Sequence, residues 1–224
     1  MLVVIGGHSR NLGKTSVVCS IIRALPELQW TAIKVTQYGH GLCSRDGKPC
    51  ACENPAHPIS ISEETREAVH EAGHIPPDSA RFLLSGACHA YWVRTPVGRL
   101  SEAMPKVRQL LDAAPNAIVE SNSLLRFVKP DFCAMVVDGA AADFKPSSLR
   151  YLDRADALVL TSNAPLAWRE VPASLLARIP HFHAPAPGYT SSELVAAIRQ
   201  AAAYSALPSI ETSSASPITR SPSA

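Results

Sequence analysis

Gly6-Gly7-His8-Ser9-Arg10-Asn11-Leu12-Gly13-Lys14-Thr15-Ser16 follows directly on the apolar run Met1-Leu2-Val3-Val4-Ile5, and its reading decides the fold. A buried strand, a glycine-bearing turn and Gly13-Lys14-Thr15 opening an apolar helix make a phosphate cradle. Backbone N–H groups of the turn and helix N-terminus point at anionic oxygens, and the helix dipole favours negative charge there. In such a cradle Lys14 reaches the outer phosphates and the Thr15 hydroxyl ligates Mg²⁺. Gly7, Asn11, Leu12, Gly13 and Ser16 complete the nucleotide-binding set. The common spacing, G-x-x-x-x-G-K-[ST], needs a glycine where His8 stands, and here Gly7 lies one residue further back. The flanks disfavour a chance Gly-Lys-Thr: Val17, Val18, Ile21, Ile22 and Leu25 recur at helical spacing, and Pro26 follows where the helix should stop.

The chain has 224 residues, enough for one medium domain with a real core. A net charge of +2 creates no global field to recruit nucleic acid or a membrane surface. No apolar run approaches the roughly 20 residues that span a bilayer. The first apolar stretch is too short for a signal peptide and runs straight into the loop, so it is expected to be strand one of a cytoplasmic protein. The six cysteines are then reduced, and a cluster of them reads as metal-binding or reactive before it reads as disulfides.

Further along, strand-like runs alternate with helical patterns, which argues for a parallel α/β sheet. Strands are expected at 30–36, 88–94, 117–122, 132–137, 157–160 and 179–183, and helices at 78–87 and 98–114. Thr190-Ser191-Ser192-Glu193 reads as a capping box for a last helix to about Tyr204. Residues 1–204 are expected to form the nucleotide-binding domain. Residues 37–77, rich in Gly, Pro, Cys and His, break the rhythm as a long insertion. The Ser- and Pro-rich stretch 205–224 reads as a disordered tail.

Beyond the loop, Lys34, Asp78 and Glu120 carry a resemblance. The chain resembles the P-loop class that includes dethiobiotin synthetase and the molybdopterin-guanine-dinucleotide biosynthesis B protein. The spacing from Gly7 to Gly13-Lys14-Thr15 looks like the synthetase loop. Lys34-Val35-Thr36-Gln37-Tyr38-Gly39 is similar to its K-P-x-x-x-G segment, with Val35 in place of proline. Asp78-Ser79-Ala80-Arg81, followed by Ser85-Gly86-Ala87, is similar to the D-S-x-R…A-G-A stretch of the molybdopterin-related proteins. Ile118-Val119-Glu120-Ser121-Asn122 stands where relatives carry V-E-G. The resemblance covers residues 1–40 and 78–163. It implies a P-loop NTPase fold, a doubly wound and mainly parallel sheet with helices on both faces. It also implies nucleotide use, and relatives often complete their sites across a homodimer.

In open α/β sheets ligands gather at the carboxyl ends of strands, where Lys34, Glu120, Asp138 and Asn163 would emerge. Glu120 and then Asp78 are the candidate carboxylates to join Thr15 around Mg²⁺. Asp138 and Asp143 rank behind them. Strand-end acids also serve as helix caps or turn residues. Lys14, Lys34 and Glu120 form the catalytic set for phosphoryl transfer, which needs charge stabilisation more than covalent chemistry. Lys34 reads equally well as a solvated strand-end lysine, and Arg10 either pairs with a phosphate or points to solvent. Asn163 stands where relatives place a base-reading Asn, although Ser162-Asn163-Ala164-Pro165 is also an ordinary turn. The guanine pattern N-K-x-D is absent, which favours ATP over GTP. In the insertion His40, Cys43, Cys50, Cys52 and His57 form a candidate Zn²⁺ set, although Cys43-x₆-Cys50-x-Cys52 is not the usual spacing. The alternative is a loop of ordinary thiols. Cys19, Cys88 and Cys133 are expected to be small core fillers.

The leading reading is a Mg²⁺-dependent protein that hydrolyses or uses ATP or GTP in a cofactor-biosynthetic step, with a small-molecule or protein acceptor. The alternatives are a nucleotide switch that delivers a metal or cofactor through the Cys/His loop, and a binder without turnover.

Overall fold

The computed structural model describes residues 1–39, 59–67 and 77–207. These form an eight-stranded sheet: β1 (Leu2–Gly7), β2 (Thr31–Tyr38), β3 (Ser60–Glu63), β4 (His89–Pro96), β5 (Ala117–Glu120), β6 (Phe132–Val137), β7 (Ala157–Leu160) and β8 (His181–His183). The helices are α1 (Lys14–Ala24), α2 (Asp78–Leu84), α3 (Leu100–Ala113), α4 (Pro146–Leu149), α5 (Ala173–Arg178) and α6 (Ser192–Ser205). The strand order is β3-β4-β2-β5-β1-β6-β7-β8. Every pairing is parallel except β3 with β4.

The central strands are apolar throughout because both faces are covered, as parallel sheets require. Along β1, Val3 and Ile5 pack with α1, α2 and α6, whereas Val4 packs on the opposite face with α3. On α1, Val17, Val18, Ile21 and Ile22 are essentially inaccessible to water, each contributing about 1.5–3 kcal/mol of burial. The helix ends at Ala24 with Leu25 as its cap, and Pro26 cannot donate the next bond. A third apolar cluster, with Met135, Leu152, Leu158 and Trp168, lies under β6 and β7. The architecture is therefore a doubly wound α/β sheet with helices on both faces.

The expected strands at 132–137 and 157–160 match to the residue, while β2 runs on to Tyr38 and the last strand starts only at His181. The capping residue of α6 is Ser191, one position later than Thr190; its hydroxyl accepts from Leu194 N at 3.3 Å. Residues 60–63, expected to lie in an insertion without strands, pair antiparallel with β4 as an edge strand. The segment Ser-Ile-Ser-Glu is short and polar because an edge strand has little to bury, and so it carries no apolar signal. Cys19 and Cys133 are buried as expected, but Cys88 is exposed, just before β4. The tail beyond 207 lies outside the described residues.

Candidate functional site

The site gathers at the carboxyl ends of β2, β5 and β1, where the chain first leaves the centre of the sheet. Gly13 adopts φ 83°, in the left-handed region, and places α1 against β1. A Cβ at Gly13 would run into the Tyr189 ring, and one at Gly7 would fall 2.5 Å from Lys14 Cδ. Both glycines therefore answer a close approach, not merely a flexible turn. No side chain caps the N-terminus of α1. Its first N–H groups have no intrahelical acceptor, which leaves them directed out of the loop.

His8 does not face that cradle. It is fully buried against Phe144 and Trp168, with ring centroids 5.1 and 4.7 Å away. Burial pushes its pKa below the ordinary value. A large side chain is accepted at the position of the usual glycine because it turns back into the core and anchors the segment after β6. That segment is tied down further: Lys145 N donates to His8 O at 2.8 Å, and Ser9 Oγ donates to Asp143 at 2.6 Å.

Lys14 lies along the loop, its Nζ donating to Ser9 O at 2.8 Å. Burial lowers its pKa, with Glu120 opposing that effect. Thr15 Oγ1 donates to Glu120 Oε2 at 2.8 Å. Glu120 and Lys34 stand side by side in the register of β5 and β2. Lys34 Nζ donates to Glu120 Oε1 at 2.6 Å, to Asp78 Oδ2 at 2.8 Å and to Thr15 Oγ1 at 3.1 Å. The three groups named in the sequence as Mg²⁺ ligands therefore converge on one point, and a lysine ammonium stands at it. Burial lowers the Lys34 pKa, but Glu120 and Asp78 outweigh burial and the net shift is upward. Asp78 is held below the usual carboxylate range, because Lys34 overcomes its partial burial.

A hydroxyl and two carboxylates within about hydrogen-bond reach of one centre suit a small hard cation that keeps waters and phosphate oxygens for its other positions. The residues fit Mg²⁺. The spacing Asp78…Arg81 puts both side chains on one face of α2. Asp78 meets Lys34, and Arg81 Nη2 donates to Ser16 Oγ at 3.0 Å, pinning the first turn of α1.

Two groups at the site escaped the sequence reading. Asn122 clamps the start of the loop: Gly7 N donates to its Oδ1 at 2.8 Å and its Nδ2 donates to Gly7 O at 2.9 Å. The only available signal was its place two residues beyond Glu120. Lys145 is the other. Its pKa is pushed down to about 8, first by burial and then by Lys14 and Arg10. Three cations thus press on one another around the cradle, a field that an anion would relieve.

Asn163 is exposed just beyond β7, at the same edge of the sheet. Asp138 is engaged in a local turn, accepting from Ala140 N and Ser162 Oγ. Asn11 (φ 55°) and Leu12 lie in the loop itself, Leu12 buried. His40, Cys43, Cys50, Cys52 and His57 lie outside the described residues. Among the described residues no group of three or more His, Cys, Asp or Glu is placed to hold a metal.

A parallel sheet whose first strand lies between β5 and β6, a loop turning through Gly13 into α1, and Thr15 bonded to an acid on the adjacent strand together decide the architecture. The fold is a doubly wound, mainly parallel α/β sheet whose first strand turns through a glycine-bearing loop into α1. No family model and no curated protein matches the chain. Among solved structures it is similar to HypB from Helicobacter pylori in complex with nickel, with 12% identity and a TM-score of 0.48, over 92% of this chain and 89% of that one. It is also similar to the apo form of LpxK from Aquifex aeolicus in complex with ATP, with 19% identity and a TM-score of 0.45. That match spans 81% of this chain and 53% of LpxK, about half its length. No helix among the described residues is long and apolar enough to cross a membrane.

Proposed function

We propose that the chain binds a nucleoside triphosphate with Mg²⁺, ATP before GTP, and transfers or hydrolyses its terminal phosphoryl group in a small-molecule biosynthetic step. The observation that carries this reading is the convergence of Thr15, Asp78 and Glu120 on one point beside an uncapped helix N-terminus and a buried lysine. Loop amides and Lys14 would hold the β- and γ-phosphate oxygens, with Lys14 leaving Ser9 O to do so. Mg²⁺ held by Thr15 and the carboxylates would supply charge neutralisation to the same oxygens. Lys34, displaced from that point, stays within reach of the γ-phosphoryl group or the nucleophile. The acceptor oxygen, or water, would attack the γ-phosphorus and give up its proton to solvent, while the bond from that phosphorus to the bridging β-phosphate oxygen breaks and the nucleoside diphosphate leaves with the electron pair. Lys145 and Arg10 add positive field on the far side of the loop.

The test is calorimetric titration of the purified chain with ATP and with GTP, each with and without Mg²⁺, followed by product analysis. Magnesium-dependent binding and release of the diphosphate support the reading. Folded protein that takes up neither nucleotide overturns it.

A further inference from the structure

Next to the cation point, on the same face of the sheet, stands a second cationic feature. In the β2–β4 register Lys34 lies opposite Trp92, and Thr36 lies opposite Arg94. Alternate residues of a strand share a face, so Lys34, Thr36, Trp92 and Arg94 project to one side. The Arg94 guanidinium carbon lies 4.9 Å from the Trp92 ring centre and 5.7 Å from that of Tyr38. Its Nε is buried with no hydrogen-bond partner among the described residues, and no ion pair among them involves it. A guanidinium nitrogen shielded from water with no acceptor among the described residues is costly to keep, and the half-buried head beside two aromatic rings presents a fork of donors suited to a planar or tetrahedral anion. Thr36 Oγ1 accepts from Trp92 Nε1 at 3.0 Å, which leaves its own proton to donate beside the fork. From the edge strand, Ser60 lies opposite Arg94.

We propose that Arg94, backed by Trp92 and Tyr38 and flanked by Thr36, is the subsite that reads the acceptor, and that the acceptor carries a carboxylate or phosphate group. This rests on the phosphoryl-transfer reading above. Strand geometry puts the Cα atoms of Lys34 and Arg94 about 8 Å apart. The acceptor is therefore a small bifunctional molecule. Its anionic end sits on Arg94, and its nucleophilic end reaches back on the order of 8 Å to the phosphoryl group near Lys34.

The test observes Arg94 itself. In ¹⁵N-labelled full-length protein, the Arg94 Nε–H resonance is assigned by its loss in Arg94→Lys. The protein is then titrated separately with succinate and with inorganic phosphate at constant ionic strength, with chloride as control. A saturable downfield shift with succinate alone identifies a carboxylate acceptor, and one with phosphate alone a phosphorylated acceptor. A shift with both leaves the anion subsite standing with either group. No shift beyond that of chloride overturns the proposal. Binding of ATP and Mg²⁺ by the same unaltered sample separates the two readings. With ATP bound and Arg94 silent, this proposal fails alone. An Arg94 response in protein that does not bind ATP overturns the acceptor assignment.

Discussion

Lys34→Met tests whether the ammonium stands in for a metal ion. Methionine keeps most of the stem and removes the charge. Glu120 is only 4% exposed and Lys34 15%, at 2.6 Å, while Asp78 is 47% exposed. Removing one partner of a buried pair leaves an uncompensated charge and costs about 3–5 kcal/mol. The half-exposed Asp78 contact adds little. A loss of about 3 kcal/mol in a domain of this size lowers Tm by roughly 6–12 °C. The Lys34 pKa is raised above its usual 10.5, so the stabilisation is fully present below that value and is lost only as pH rises through the folded pKa. The deficit should therefore be constant across neutral pH. Magnesium ought to repair it. On the proposed reading the cation would have to displace the ammonium in the wild type, whereas in Lys34→Met that position would be free. A concentration 100-fold above Kd returns about 2.7 kcal/mol. Thermal and urea unfolding with and without excess MgCl₂ would be followed by circular dichroism. A variant that melts with the wild type, or whose deficit ignores Mg²⁺, refutes the reasoning.

Lys14→Ala should weaken binding of the triphosphate by about 3 kcal/mol, near 10²-fold, and unaltered calorimetric affinity would count against the cradle. Gly13→Ala forces a Cβ onto the Tyr189 ring at φ 83° and should cost about 1–3 kcal/mol in urea unfolding; wild-type stability would remove the steric argument. Lys145 should make triphosphate affinity fall as pH rises through about 8, where its charge is lost under burial and the repulsion of Lys14 and Arg10, with Asp143 and Glu120 opposing. Between that value and its ordinary 10.5 the unfolded chain holds the proton longer, so this lysine's contribution to stability increases with pH. Calorimetry across that range on the wild type and on Lys145→Met should give a slope only in the former, and equal slopes would dismiss Lys145. Burial drives the Cys133 thiol up to about 12. Peptide mapping after a brief native treatment with a thiol reagent should find Cys88 modified and Cys19 and Cys133 spared; a labelled Cys133 would contradict the packing.

How much of this was legible along the chain depends on how local each cause is. The phosphate loop and α1 could be read because the glycines, Lys14, Thr15 and the helical repeat lie within about two dozen residues. The expected strands at 132–137 and 157–160 were visible as continuous apolar runs, since a doubly covered parallel strand has nothing else to be. β3 was invisible, being too short and polar. His8 looked like a departure from the motif until its ring was seen among Phe144 and Trp168, residues more than 130 positions away in the chain.

Thr15, Asp78 and Glu120 were grouped from sequence as ligands of one cation, but the pairing of Lys34 with both acids was not foreseen. That Lys34 lies between Asp78 and Glu120, across a span of 86 residues, is set only by the β2–β5 register and the placement of α2. The same holds for Asn122 against Gly7, Lys145 against Lys14, and Arg94 between two rings. Backbone preference and hydrophobic period act over a few residues and so are written in the order of the chain. Charge meeting charge acts across space, and that order does not record it.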